Sequence, residues 1–222
     1  MKKLSYLLFN LTIIFLPILA DLFYKKTIFP QIIPFILSVS IAALVFIIWD
    51  MKVAEKWWFF NDKYILGIKF FKLPIEEILF FFTVPYSCLI IFLNLNYFVT
   101  SKINFYSYFF LIFIFLILSF YFFKKKKVYP FFVFLLLSAN IFLDYFFKVY
   151  LLNQIGFYIY LIIITLLTFI FNYYLTSKKI VTYSKNYKTN FLITTIPFED
   201  FIYGINLLYL NLILYLLFQH IF

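Results

Sequence analysis

Arginine is absent from this 222-residue sequence, and cysteine and histidine each occur once, as Cys88 and His220. Without guanidinium groups there is no bidentate clamp for phosphates and no reader of base edges. The net charge of +10, carried by 19 lysines, is therefore no argument for nucleic acid. A single cysteine excludes an internal disulfide and any C-x-x-C centre, and Cys88 sits in an apolar run where a small buried thiol is expected. Three glycines, Gly67, Gly156 and Gly204, cannot make a G-x-G-x-x-G fingerprint. There is no H-E-x-x-H, no G-x-S-x-G and no D-D-x-x-D cluster. The expectation is a protein with no cofactor and no metal.

Charge is scarce as well, at 13% of residues, while 66% are hydrophobic and the mean hydropathy is +1.03. A soluble domain is nearer half apolar and a quarter charged. Such a chain cannot cover itself with polar surface, so it belongs in a membrane. Seven apolar runs, at 4–23, 31–49, 75–95, 105–123, 128–147, 155–175 and 198–219, are each long enough to cross a hydrocarbon core of about 30 Å. The first has Lys2-Lys3 ahead of it and Ile18-Leu19-Ala20 near its end, which also suits a signal peptide. Pro17 and Lys25-Lys26 suit a retained helix and its loop. Alternate inter-span segments hold 15 lysines on the N-terminal side and 4 on the other. Basic loops stay cytoplasmic, so the N-terminus is expected in the cytoplasm and the C-terminus outside, in a multi-pass protein of the cell membrane.

Two motifs break the apolar pattern. Pro74-Ile75-Glu76-Glu77 opens the third span, and Pro197-Phe198-Glu199-Asp200 opens the seventh. The second lies 123 residues after the first, and the same offset matches Tyr64 with Tyr187 and Phe80 with Tyr203. Spans 1–3 and 5–7 thus read as two copies, with span 4 restoring direction between them. This is a parallel repeat in an all-α membrane bundle, 3+1+3, with copies at 1–97 and 128–222 and a linking helix within 98–127. Both carboxylate pairs then enter the same leaflet.

Charge at the mouth of a membrane helix is costly and marks function by default. Adjacent residues on a helix point about 100° apart, so within each pair one carboxyl can face a cavity while the other meets a neighbouring helix. The candidates for acid–base chemistry are Glu76, Glu77, Glu199 and Asp200. The bland alternative is that they cap helices or pair with loop lysines such as Lys72. Phe80, Phe81 and Tyr203, on the same helices, are candidates for substrate contact, or for packing. Asp144 is expected to pair with Lys148 at i+4, and Asp50, after Trp49, to sit at the interface with Asp21 another near-membrane acid. His220 is read as interfacial.

The order Trp49-Asp50, Trp57-Trp58, Phe60-Asn61, Tyr64, Gly67, Pro74-x-Glu76-Glu77, Phe80-Phe81 and Pro85-Tyr86 resembles the first half of the small membrane lycopene cyclases. The run Thr195-Ile196-Pro197-Phe198-Glu199-Asp200-Phe201-Ile202-Tyr203-Gly204, with Ile180-Val181-x-Tyr183 ahead of it, resembles the P-x-E-D half. In that family the halves occur as two subunits or as one fused chain. The chain departs from it at Asn190-Phe191-Leu192, where the family commonly has G-x-R, and at Leu93-Asn94, where it often has an acid or another polar group. The resemblance implies an isomerase-type enzyme that protonates the linear end of lycopene, closes a ring through a carbocation and loses a proton. It implies lycopene and membrane lipid as partners, association with other carotenoid-pathway enzymes, and a proton-handling role for the four carboxyls. A cyclase for another isoprenoid, or a proton-coupled carrier, is the alternative; a carrier favours helices broken by glycine or proline at mid-membrane, which are scarce here.

Overall fold

The computed structural model describes residues 2–24 and 31–222; Lys25-Lys26 and the side chain of Asp21 lie outside the described residues. Seven α-helices are present among these: α1 (Ser5–Tyr24), α2 (Ile32–Val53), α3 (Ile75–Phe98), α4 (Tyr108–Lys124), α5 (Val128–Phe146), α6 (Ile155–Ser177) and α7 (Phe198–Ile221). Each follows one of the apolar runs, because in a bilayer the backbone must satisfy its own amides and carbonyls. Six are long and apolar enough to cross a membrane. The linking helix α4 has 17 residues, about 25 Å at 1.5 Å per residue, the lower limit for a span.

The 123-residue offset is written into the geometry. Helices α3 and α7 have 24 residues each and start at equivalent positions, directly after Pro74 and Pro197. Each proline ends a two-residue strand. Strand β2 (Lys69–Phe70) pairs with β3 (Leu73–Pro74), and β5 (Leu192–Ile193) with β6 (Ile196–Pro197). Proline suits this junction, since its fixed φ feeds the helix and its missing amide needs no partner there. The loop before each hairpin passes through the left-handed region at equivalent positions, Gly67 (φ 90°) and Asn190 (φ 67°). Glycine does this freely, and asparagine more readily than most other residues.

Helix α1 packs on α3 as α5 packs on α7, and α2 crosses to α7 as α6 crosses to α3. Strand β1 (Trp58–Phe60) pairs antiparallel with β4 (Val181–Tyr183), placing Phe59 opposite Thr182. Those two residues are themselves 123 apart, so exchanging the halves maps the ladder onto itself. That is the signature of a local two-fold axis. Helix α4, packed along α5, has no counterpart on α1 among the described residues.

Candidate active site

Each carboxylate pair splits. Glu77 and Asp200 turn into a cavity of about 200 Å³ between α1, α3, α6 and α7, closed at one end by β1 and β4. Glu76 and Glu199 turn away and are fully buried against the preceding loops. The Leu66 amide donates to Glu76 Oε1 at 2.6 Å, and the Thr189 amide donates to Glu199 Oε1 at 2.6 Å. These bonds are equivalent under the repeat and hold the chain just beside Gly67 and Asn190. The outer acid of each pair therefore braces a loop, and the inner acid faces the cavity. Neither pair draws on Lys72, whose ammonium lies 3.5 Å from Glu55.

The inner acids are also held alike. The Tyr6 hydroxyl donates to Glu77 Oε2. The Tyr129 hydroxyl, its equivalent on α5, donates to Asp200 Oδ1 at 2.9 Å. Behind them the helix pairs are pinned by polar bonds suited to a dry interior: Asn10 Nδ2 to the Glu76 carbonyl at 2.8 Å, Thr83 Oγ1 to Asn10 Oδ1 at 3.1 Å, and Asn206 Nδ2 to the Val133 carbonyl at 2.9 Å. Asp200 Oδ2 makes no hydrogen bond among the described residues. Tyr183, on β4, lies beside that carboxylate; burial, followed by the Asp200 charge, pushes the Tyr183 hydroxyl well above its ordinary range.

A third carboxylate joins the site. Helix α2 runs a full turn past Trp49, so Asp50 lies inside it and is buried (1% exposed) rather than interfacial. Its Oδ1 accepts a 2.6 Å bond from the Tyr203 hydroxyl, and Asp50 lines the same cavity as Glu77 and Asp200. The sequence signal was present but thin: Met51 and Val53 continue the apolar face of α2 beyond the charge. Asp144 also departs from expectation. Instead of pairing with Lys148 it is fully buried, accepting from Tyr209 at 2.9 Å, Tyr108 at 3.2 Å and the Leu151 amide at 3.0 Å.

Phe80 and Tyr203 line the cavity; Phe81 is fully buried, packed against Phe46 and Tyr203. From the acidic end an apolar arm runs past Ser87 and Cys88 to Ile13, Pro17, Ile91 and Ile164. A second cleft of about 420 Å³ lies between α2 and α5, and its walls Val45, Ile48, Trp49 and Lys52 sit 123 residues before Thr168, Phe171, Asn172 and Leu175 of the first. Tyr129 and Tyr203 line both. No carboxylate lines the second cleft among the described residues. One acidic chamber is thus continued by an apolar arm, which suits proton transfer to an apolar molecule admitted end first.

A family model described as lycopene cyclase matches residues 3–95 and again residues 126–218, two stretches 123 residues apart. No curated protein and no solved structure matches the chain.

Proposed function

We propose that this chain, which belongs to the lycopene cyclase family, converts linear lycopene end groups to β-rings, with Glu77, Asp50 and Asp200 handling the proton. A carotenoid cyclase role, a carotenoid substrate and a place in a membrane follow from the family and the helices. The observation that carries the finer reading is the acidic chamber at the end of an apolar arm, with each of its three carboxylates held by a tyrosine hydroxyl.

In this reading the polyene lies in the apolar arm and its end group meets the acids. A carboxyl O–H adds its proton to the terminal double bond, leaving a tertiary carbocation. The neighbouring double bond supplies the electron pair that closes the six-membered ring, and the cation moves to the ring. A carboxylate then removes a ring proton and the C–H pair becomes the ring double bond. No electrons are gained or lost overall. Phe80 and Tyr203 present rings to this chamber, where a cation over an aromatic face gains about 0.5–2 kcal/mol each. The tyrosine hydroxyls fix the carboxyl orientations, and the dry surroundings keep water from capturing the cation. Glu76 and Glu199 hold the loops that aim α3 and α7, and Phe81 packs behind the chamber.

We read residues 1–97 and 128–222 as two fused cyclase halves joined by 98–127, with the N-terminus cytoplasmic and the C-terminus outside. The 15-to-4 lysine bias supports that orientation. It places the hairpins that lead into α3 and α7 on the cytoplasmic side, from which protons are supplied. Expression in cells that make only lycopene tests the function: cyclised pigment is expected. Unchanged lycopene in cells carrying the membrane-inserted protein would overturn it.

A further inference from the structure

The local two-fold makes Glu77 and Asp200 equivalent, yet the side chains around them break the symmetry. Lys188 stands where the first half has Ile65, both nearly or fully buried (8% and 0% exposed). Tyr183 stands where the first half has Phe60, so the Asp200 carboxylate meets a second phenol besides Tyr129. On the other side Asp50, whose equivalent is Tyr173, adds a second carboxylate near Glu77. Asp200 thus has two phenols and an ammonium beside it, while Asp50, which acts on both inner acids, acts more on Glu77 than on Asp200.

We infer that Lys188 fixes the division of labour in this site, holding Asp200 as the ionised carboxylate that faces the carbocation and takes up the departing proton, and leaving Glu77, beside Asp50, as the proton donor. The inference rests on the cyclase reading above. A buried ammonium is costly unless negative charge compensates it, and the groups facing Lys188 are Asp200 and Glu199 from α7, Tyr183 from β4 and Lys185 from its own loop. Its Nζ lies 5.7 Å from the centre of the Tyr183 ring. The cation over that ring strengthens the phenol as a donor, so Lys188 acts on Asp200 through Tyr183 and through space. The protons balance: Glu77 gives its proton to the CH carbon of the terminal double bond, which leaves the tertiary cation, and Asp200 takes one from the ring. Release of that proton from Asp200 to water and uptake of another by Glu77 restore the site. Lys188 is a positioning residue, since it does not line the cavity.

Burial pushes the Lys188 ammonium below the ordinary lysine range, opposed by Asp200 and Glu199 and reinforced by Lys185. Its charge is present at low pH and disappears as pH rises through that lowered value, so the wild-type rate falls on the alkaline side. The test uses the full chain in lycopene-loaded vesicles, with rate measured against pH for wild type, Lys188→Met and Lys188→Arg. Lys188→Met is expected to lower kcat about tenfold or more, the scale of a weakened proton-transfer group, with KM unchanged. Lys188→Arg is expected to restore most of the rate and to move the alkaline limb to higher pH, because a guanidinium stays charged. Wild-type kcat in Lys188→Met, or a wild-type alkaline limb in Lys188→Arg, would overturn the inference, and the arginine variant decides alone if the methionine variant does not insert. An inactive wild type would overturn the cyclase reading instead.

Discussion

Replacing Glu76 and Glu77 separately by glutamine separates bracing from chemistry within one pair of neighbours. Glu77 lines the acidic chamber, so Glu77→Gln removes an ionisable group without changing shape. Proton-transfer groups contribute about 10²–10⁴ in rate, or roughly 3–5.5 kcal/mol of barrier, and kcat is expected to fall by that factor. Glu76 accepts the Leu66 amide at 2.6 Å and does not line the cavity. In Glu76→Gln the amide oxygen still accepts that bond, but charge assistance is lost, and the new NH2 replaces Oε2, which has no partner. Together these cost about 1–3 kcal/mol of stability, with little effect on kcat in protein that remains folded. The assay is chromatographic quantification of cyclised product from purified protein in vesicles, beside thermal unfolding in detergent. A Glu76→Gln enzyme that unfolds like wild type yet loses as much kcat as Glu77→Gln would refute this partition. So would a Glu77→Gln enzyme with wild-type kcat.

The two-fold extends the same expectation to the second half, where Asp200→Asn should lose activity and Glu199→Gln mainly stability, read by the same two assays. Asp144 accepts from two tyrosines and an amide away from the cavity. Asp144→Asn should lower stability by about 1–3 kcal/mol, seen as a lower unfolding temperature, with kcat unchanged in the folded fraction. At Gly204, which lines the cavity, an added Cβ would meet, among the described residues, only Thr168 side-chain atoms at 3.7–3.9 Å. Gly204→Ala should therefore be tolerated, while Gly204→Phe should fill the arm and raise KM or abolish turnover without unfolding, as steady-state kinetics and size-exclusion chromatography would report. At Gly67, with φ 90°, Gly67→Ala should cost about 1 kcal/mol or more, visible in thermal unfolding.

Much of this architecture was legible from the sequence, for a physical reason. A membrane helix announces itself by length and hydropathy alone, so the helices match the apolar runs to within a few residues. The Pro74 and Pro197 motifs also mark the junctions where α3 and α7 begin. Where a single side chain points was harder. Glu76 and Glu77 had to diverge, but which of them faced the cavity depends on how α1 and α6 pack around α3. An acid after an apolar run, such as Asp50, looks like a helix end, whereas its Tyr203 partner lies 153 residues away on α7. For Asp144 the sequence offers only the local Lys148, while its partners Tyr108 and Tyr209 come from α4 and α7. The pairing of β1 with β4 joins segments of three residues each, too short to show a periodicity.

The central claim is that this chamber protonates a linear carotenoid end group and closes it into a ring, and the origin of the ring hydrogen tests it most directly. Purified protein in lycopene-loaded vesicles, prepared in D2O and analysed by mass spectrometry, should yield cyclised product carrying one solvent deuterium for every ring formed, with none in lycopene left unreacted. Cyclised product without deuterium would contradict the account.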